Sequence, residues 1–173
     1  MKLKAIILAT GLINCIAFSA QAVDTTITVT GRVLPRTCTI GNGGNPNATV
    51  VLDNAYTSDL IAANSTSQWK NFSLTLTNCQ NVNNVTATFG GTAENTNYYR
   101  NTGDATNIMV ELQEQGNGNT PLKVGSTKVV TVSNGQATFN LKVRAVSKGN
   151  AGAGSINSQI TVTYTCLLYT SDA

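Results

Sequence analysis

The chain has 173 residues, enough for one domain with a real core, and only 11% of them are charged. It contains no histidine, which removes the commonest general base and the commonest zinc ligand, and with them any Ser-His-Asp or Cys-His arrangement. The formal net charge is +3, and +1 once Lys2 and Lys4 are set aside; so small a balance gives no electrostatic case for nucleic acid or an anionic membrane.

Those two lysines open the chain and precede an apolar run over 5–18, AIILATGLINCIAF. Ala20-Gln21-Ala22 then gives the small-x-small pattern of a signal-peptidase site. The run is short for a membrane-spanning helix, which needs about 20 apolar residues. The pattern predicts cleavage after Ala22, leaving Val23 as the new N-terminus of an exported protein. Cys15 leaves with the signal, and Cys38, Cys79 and Cys166 remain. Outside the cytosol a Cys38–Cys79 bridge is the economical pairing, against two unpaired thiols, and Cys166 is then the odd one out.

The mature chain begins with TTITVTGRVLP, residues 25–35, which puts Ile27, Val29 and Val33 on one side with Gly31 among them. Period-two alternation recurs in chain order. Phe72, Leu74 and Leu76 share one strand face, and Val85, Ala87 and Phe89 another. Ile108, Val110 and Leu112 line a third, with Met109, Glu111 and Gln113 expected to face out. Val130 and Val132 mark a shorter strand, and Ala137, Phe139, Leu141, Val143 and Ala145 a long one. Ile156, Ile160, Val162 and Tyr164 form the last, ending at Thr165. Between them lie turn signals at 41–44, 116–119 and Asn134-Gly135, and a glycine-rich loop over 149–154. A short helical turn is expected around Asp59 to Ala63. Many short strands at this spacing predict one antiparallel β-sandwich domain.

The search for chemistry finds no catalyst. Carboxylates are few, and the closest pair, Glu111 and Glu114, falls on opposite faces of a strand, so both are expected to be surface charges. No phosphate-cradling glycine motif occurs. Asn47, Asn64, Asn71 and Asn84 each begin an N-x-S/T triplet, as an Asn- and Thr-rich chain does by chance. Trp69, Tyr98 and Tyr99 are candidates for a sugar-stacking face, although isolated aromatics more often complete a core. No metal, cofactor or small-molecule substrate is expected.

Both ends resemble one family. TITVTGRV before Cys38, the LTNC ending in Cys79, and the closing G-x-I-x-x-x-I-x-V-x-Y from Gly154 to Tyr164 are similar to the pilins of chaperone–usher fimbriae. The tract from Thr96 to Leu112 and VRA at 143–145 look most like the FimG-type minor subunits of type 1 fimbriae. The resemblance implies an incomplete immunoglobulin-like sandwich, all-β and lacking its last strand, with an N-terminal donor-strand extension. It implies a non-enzymatic structural subunit, an adaptor that contributes to cell adhesion, exported through the periplasm to the cell-surface fimbrium. Its partners are then neighbouring pilin subunits, a periplasmic chaperone that lends a strand, and an outer-membrane usher that exchanges it.

Carried onto this sequence, the donor strand is Thr25, Ile27, Val29, Gly31 and Val33, and the acceptor groove includes Ile156, Ile160, Val162 and Tyr164. The organisation is a signal over 1–22, an extension over 23–36, a pilin domain over 37–165 and an atypical tail over 166–173. In that tail Cys166 stands where the family has an aromatic, and LLYTSDA follows. The tail is expected not to be native sequence; the alternative is a real tail with a reactive thiol. The other functional readings are a major rod pilin and a carbohydrate-binding adhesin. An adhesin is expected to carry a lectin domain ahead of its pilin domain and to lack the donor extension, whereas this chain is too short for both domains and has the extension.

Overall fold

In a computed structural model, the chain is described over residues 38–41, 47–116 and 120–168. The expected signal, the donor segment and the turns at 42–44 and 117–119 lie outside the described residues. Among the described residues there are eight strands: β1 (Thr39–Ile40), β2 (Lys70–Thr77), β3 (Val82–Gly91), β4 (Tyr99–Arg100), β5 (Ile108–Glu114), β6 (Thr127–Thr131), β7 (Ala137–Ser147) and β8 (Ile160–Leu168). A five-stranded sheet has the order β1-β2-β7-β5-β4, and a three-stranded sheet the order β6-β3-β8. Every pairing is antiparallel.

The alternation read from the sequence becomes the core. Val85, Ala87 and Phe89 of β3 are all 0% exposed and face Ala137, Phe139 and Leu141 of β7 across the sandwich. Burying each large apolar side chain contributes about 1.5–3 kcal/mol. Two contacts fix how the sheets stack. The Tyr164 ring of β8 lies 5.7 Å from that of Phe139 on β7. At the other side Lys128 of β6 is ion-paired with Glu114 of β5. The free edge of β8 therefore lies on the β2 side of the sandwich, and that of β6 on the β5 side.

The turns follow their residues. Asn134 (φ 50°) and Gly135 (φ 72°) make a two-residue turn between Ser133 and Gln136, whose main chains exchange hydrogen bonds of 2.8 and 2.9 Å. Positive φ at both central positions is what Asn-Gly supplies. The chain changes sheets there, from β6 to β7. The expected helical turn is a 3-10 turn over Thr57–Leu60. It sits earlier than Asp59 to Ala63 and ends on Leu60, which is buried, whereas Ile61 is exposed.

Two expectations are corrected. Met109, Glu111 and Gln113 occupy the outer face of β5, yet Glu111 is 6% exposed and Gln113 8%, and Met109 is also buried. Alternation tells which face a residue takes, not whether that face is covered. The last strand begins at Ile160, not Ile156, and does not stop at Thr165: Cys166, Leu167 and Leu168 continue it opposite Val85, Asn84 and Val82.

Candidate functional site: the edge of the last strand

β8 pairs with β3 along one side only, and no described residue pairs with its other side. Ile160, Val162, Tyr164 and Cys166 point to the core opposite Gly91, Phe89, Ala87 and Val85, while Thr161, Thr163 and Thr165 point to solvent. All four inward residues are half-buried, whereas the three apolar residues facing them from β3 are sealed. Burial therefore drops within one strand spacing, as it does where a sheet ends before its core does. Burial of the Tyr164 phenol raises its pKa above the ordinary tyrosine value.

Half-buried apolar side chains continue on the five-stranded sheet. Phe72 and Leu74 of β2 share a face with Leu141 and Phe139. β1 covers β2 only at Leu76 and Thr77, with one more bond from the Gly41 N–H to the Thr75 carbonyl at 2.7 Å. Val50 and Leu52, also half-buried, pack on the same core. Sequence reasoning did not name these four beside the expected groove residues. The alternation of Val50 and Leu52 is too short to signal a strand, and Phe72 and Leu74 read as ordinary core.

Ile156 lies ahead of β8 in a loop and packs against both core clusters. Ala105 N–H donates to the Ser155 carbonyl (3.0 Å), Thr102 N–H to the Asn157 carbonyl (2.7 Å) and Asn157 N–H to the Asn101 side-chain oxygen (2.8 Å). Gly154 makes the approach possible: a Cβ there would meet the Ala105 nitrogen at 2.5 Å. Three of the four expected groove residues thus share one strand face, and the fourth lies in the loop that leads into that strand. Cys38 and Cys79 are bonded, tying the start of β1 to the end of β2. Cys166 is a free thiol on the inward face of β8.

The other candidates fall into structural roles. Tyr99 is fully buried and its hydroxyl donates to the Leu122 carbonyl at 2.9 Å. Its burial pushes the phenol up to about 12. Trp69 stands just before β2, three strands away from Tyr98 and Tyr99 at β4, so the three form no common face. Its ring instead meets the Arg144 guanidinium at 4.1 Å and the Lys142 ammonium at 4.7 Å. Arg144 Nε donates to Glu111 at 2.7 Å and Gln113 donates to the other Glu111 oxygen at 2.6 Å. Glu111 is therefore a buried, fully partnered carboxylate rather than the solvated charge expected, and Glu114 lies on the opposite face as expected. No group of three or more potential metal ligands occurs among the described residues.

A two-sheet antiparallel sandwich whose last strand leaves half-buried core residues along an unpartnered edge has the architecture of a pilin. The crystal structure of the P pilus rod subunit PapA superposes with a TM-score of 0.63 over 75% of this chain and 99% of that one, a likeness of fold at 13% identity. The fimbrial protein family model matches residues 27–165, and the chain belongs to that family. It is 59% identical over 165 residues to the S-fimbrial adhesin protein SfaS of Escherichia coli O6:K15:H31 (strain 536 / UPEC), covering 95% of this chain and 99% of SfaS. It is 45% identical over 149 residues to the protein FimG of Escherichia coli (strain K12), covering 84% of this chain and 86% of FimG. The protein is a non-enzymatic subunit of a chaperone–usher pilus at the cell surface, where such subunits polymerise with their neighbours. SfaS bears the name adhesin and aligns over 99% of its own length. Length is therefore no ground against an adhesin.

Proposed function

We propose that this chain is a minor, adaptor-type subunit of the FimG kind that accepts one donor strand along β8 and gives one from its own N-terminal extension. The carrying observation is the half-buried row Ile160, Val162, Tyr164 and Cys166 beside the sealed row of β3. A strand laid along β8 pairs with its free main chain and covers that row with alternate side chains, giving affinity through the ladder and specificity through the pockets. Thr25, Ile27, Val29, Gly31 and Val33 have the matching alternation, and Gly31 suits a shallow point where a side chain has no room. A periplasmic chaperone supplies the first strand and an outer-membrane usher directs the exchange. The boundaries that go with this reading are 1–22 for the signal, 23–36 for the extension and 37–165 for the family-like pilin domain, whose last strand runs on to Leu168. The family match ends at residue 165, which supports reading 166–173 as departing from the family pattern; intact-mass analysis checks that tail.

Deleting residues 23–34 tests the reading. The truncated subunit is expected to be held by its chaperone and to be missing from fibres. Incorporation of the truncated form at the normal level would overturn the donor role.

The 59% identity to a protein named adhesin favours a second reading, in which this subunit also contacts a receptor. Fibres assembled without it separate the two. Loss of binding to host cells with fibre number and length preserved supports the adhesin; loss of fibre assembly supports the adaptor. A major rod pilin is distinguished from both by its abundance in purified fibres.

A further inference from the structure

The other edge of the three-stranded sheet is closed by a different means. β6 pairs with β3 through Lys128↔Ala87 and Val130↔Val85, so Lys128 points to the core beside Val130. Its ammonium is bonded to the carboxylate of Glu114, which points to the core from β5 opposite Leu141. The pair spans the gap between the sheets with 32% and 30% of the side chains exposed. A cavity of about 270 Å³ lies beside it, lined by both residues together with Val130, Phe139 and Leu141. The core is therefore reachable from this side too, and what stands at the entrance is a charge pair. An inward-pointing charge on an edge strand discourages strand addition.

We propose that the Lys128–Glu114 pair is a specificity element that confines strand addition to β8. A donor strand laid along β6 would push an apolar side chain between the two groups and leave a separated ammonium and carboxylate against the core, which is costly. β8 itself carries no charged residue, and Lys70, which shares the β2 face of Phe72 and Leu74, pairs with Asp53 at 40% and 66% side-chain exposure, nearer to solvent than Lys128 and Glu114. This inference rests on the donor-strand reading of the groove, and the two fail separately in the following test.

The chain from Val23 onward is incubated with a synthetic peptide of residues 23–36, and bound peptides per chain are counted by native mass spectrometry. Peptide bound to the unaltered chain tests whether its groove takes a strand of the donor's alternation; the donor role itself is tested separately by the deletion of residues 23–34. The increment in two variants tests the pair. Lys128→Met with Glu114→Gln keeps the side-chain sizes close and removes both charges; it is expected to bind one peptide more than the unaltered chain. The exchanged pair, Lys128→Glu with Glu114→Lys, is expected to bind no more than the unaltered chain. Should the neutral variant not fold, Lys128→Gln with Glu114→Gln is counted in its place, with the same gain of one expected. No gain in the neutral variant, or an equal gain in the exchanged pair, would overturn the proposal.

Discussion

β6 and β8 flank the same strand, β3, and meet it over the same inward row, Val85 and Ala87. β6 is five residues long, carries Lys128 inward, and is tied to the other sheet by Glu114. β8 is nine residues long, alternates without a charge, and leaves its inward row half-buried. Short length and inward charge are the means by which sheet edges avoid pairing. One edge has both and the other has neither. The lesson is that an open edge is recognised less by its own sequence than by the absence of protection that its counterpart displays.

The largest expected effect breaks this asymmetry at β8. Val162→Asp puts a charge in the inward row opposite Phe89 and is expected to abolish incorporation into fibres. Val129→Asp, on the outward face of β6 and already 52% exposed, is expected to leave incorporation unchanged. Immunoelectron microscopy of fibres from the two strains compares them directly.

Next in size is the bridge. Replacing Cys38 by Ser releases a crosslink spanning a sequence separation of 41. The expected loss is about 4 kcal/mol in the chain-entropy model, read from urea unfolding. A smaller pair of substitutions sharpens the contrast between neighbouring strands. Val85→Ala in the sealed row is expected to cost about 2 kcal/mol in the isolated subunit. Val162→Ala in the half-buried row is expected to cost less than half as much there, and to approach the Val85→Ala cost once a strand covers it in the fibre.

The smallest expected effect is a pH dependence. An unfolded tyrosine ionises near pH 10, whereas Tyr99 holds its proton to about 12 because it is buried. Its contribution is fully present below pH 10 and is lost as pH rises from 10 through about 12. Tyr164 is raised in the same direction for the same reason. Urea midpoints are expected to fall across that window, and Tyr99→Phe to flatten part of the slope. The same substitution removes the bond to the Leu122 carbonyl, at a cost of about 1 kcal/mol at neutral pH.

Much of the architecture was legible because it rests on local rules. The rows Val85-Ala87-Phe89 and Ile160-Val162-Tyr164 are period-two patterns, and Asn134-Gly135 is turn chemistry. Features decided by contacts between distant segments were not legible. That Lys128 points inward depends on register with β3, and its partner Glu114 belongs to another sheet. Glu111 and Gln113 are covered by neighbours that alternation does not report. Ile156 has the right parity for β8 but is held by the 101–105 loop. The continuation of β8 past Thr165 follows from pairing with β3 at Val85, Asn84 and Val82, beyond the stretch in which the family pattern is readable.

The central claim, that β8 and not β6 receives the neighbour's strand, is most directly tested by amide hydrogen exchange on the isolated subunit and on assembled fibres. The expected result is that Ile160 to Leu168 gain protection on assembly while Thr127 to Thr131 exchange as before. Gain at β6, or assembly with no gain at β8, would contradict it.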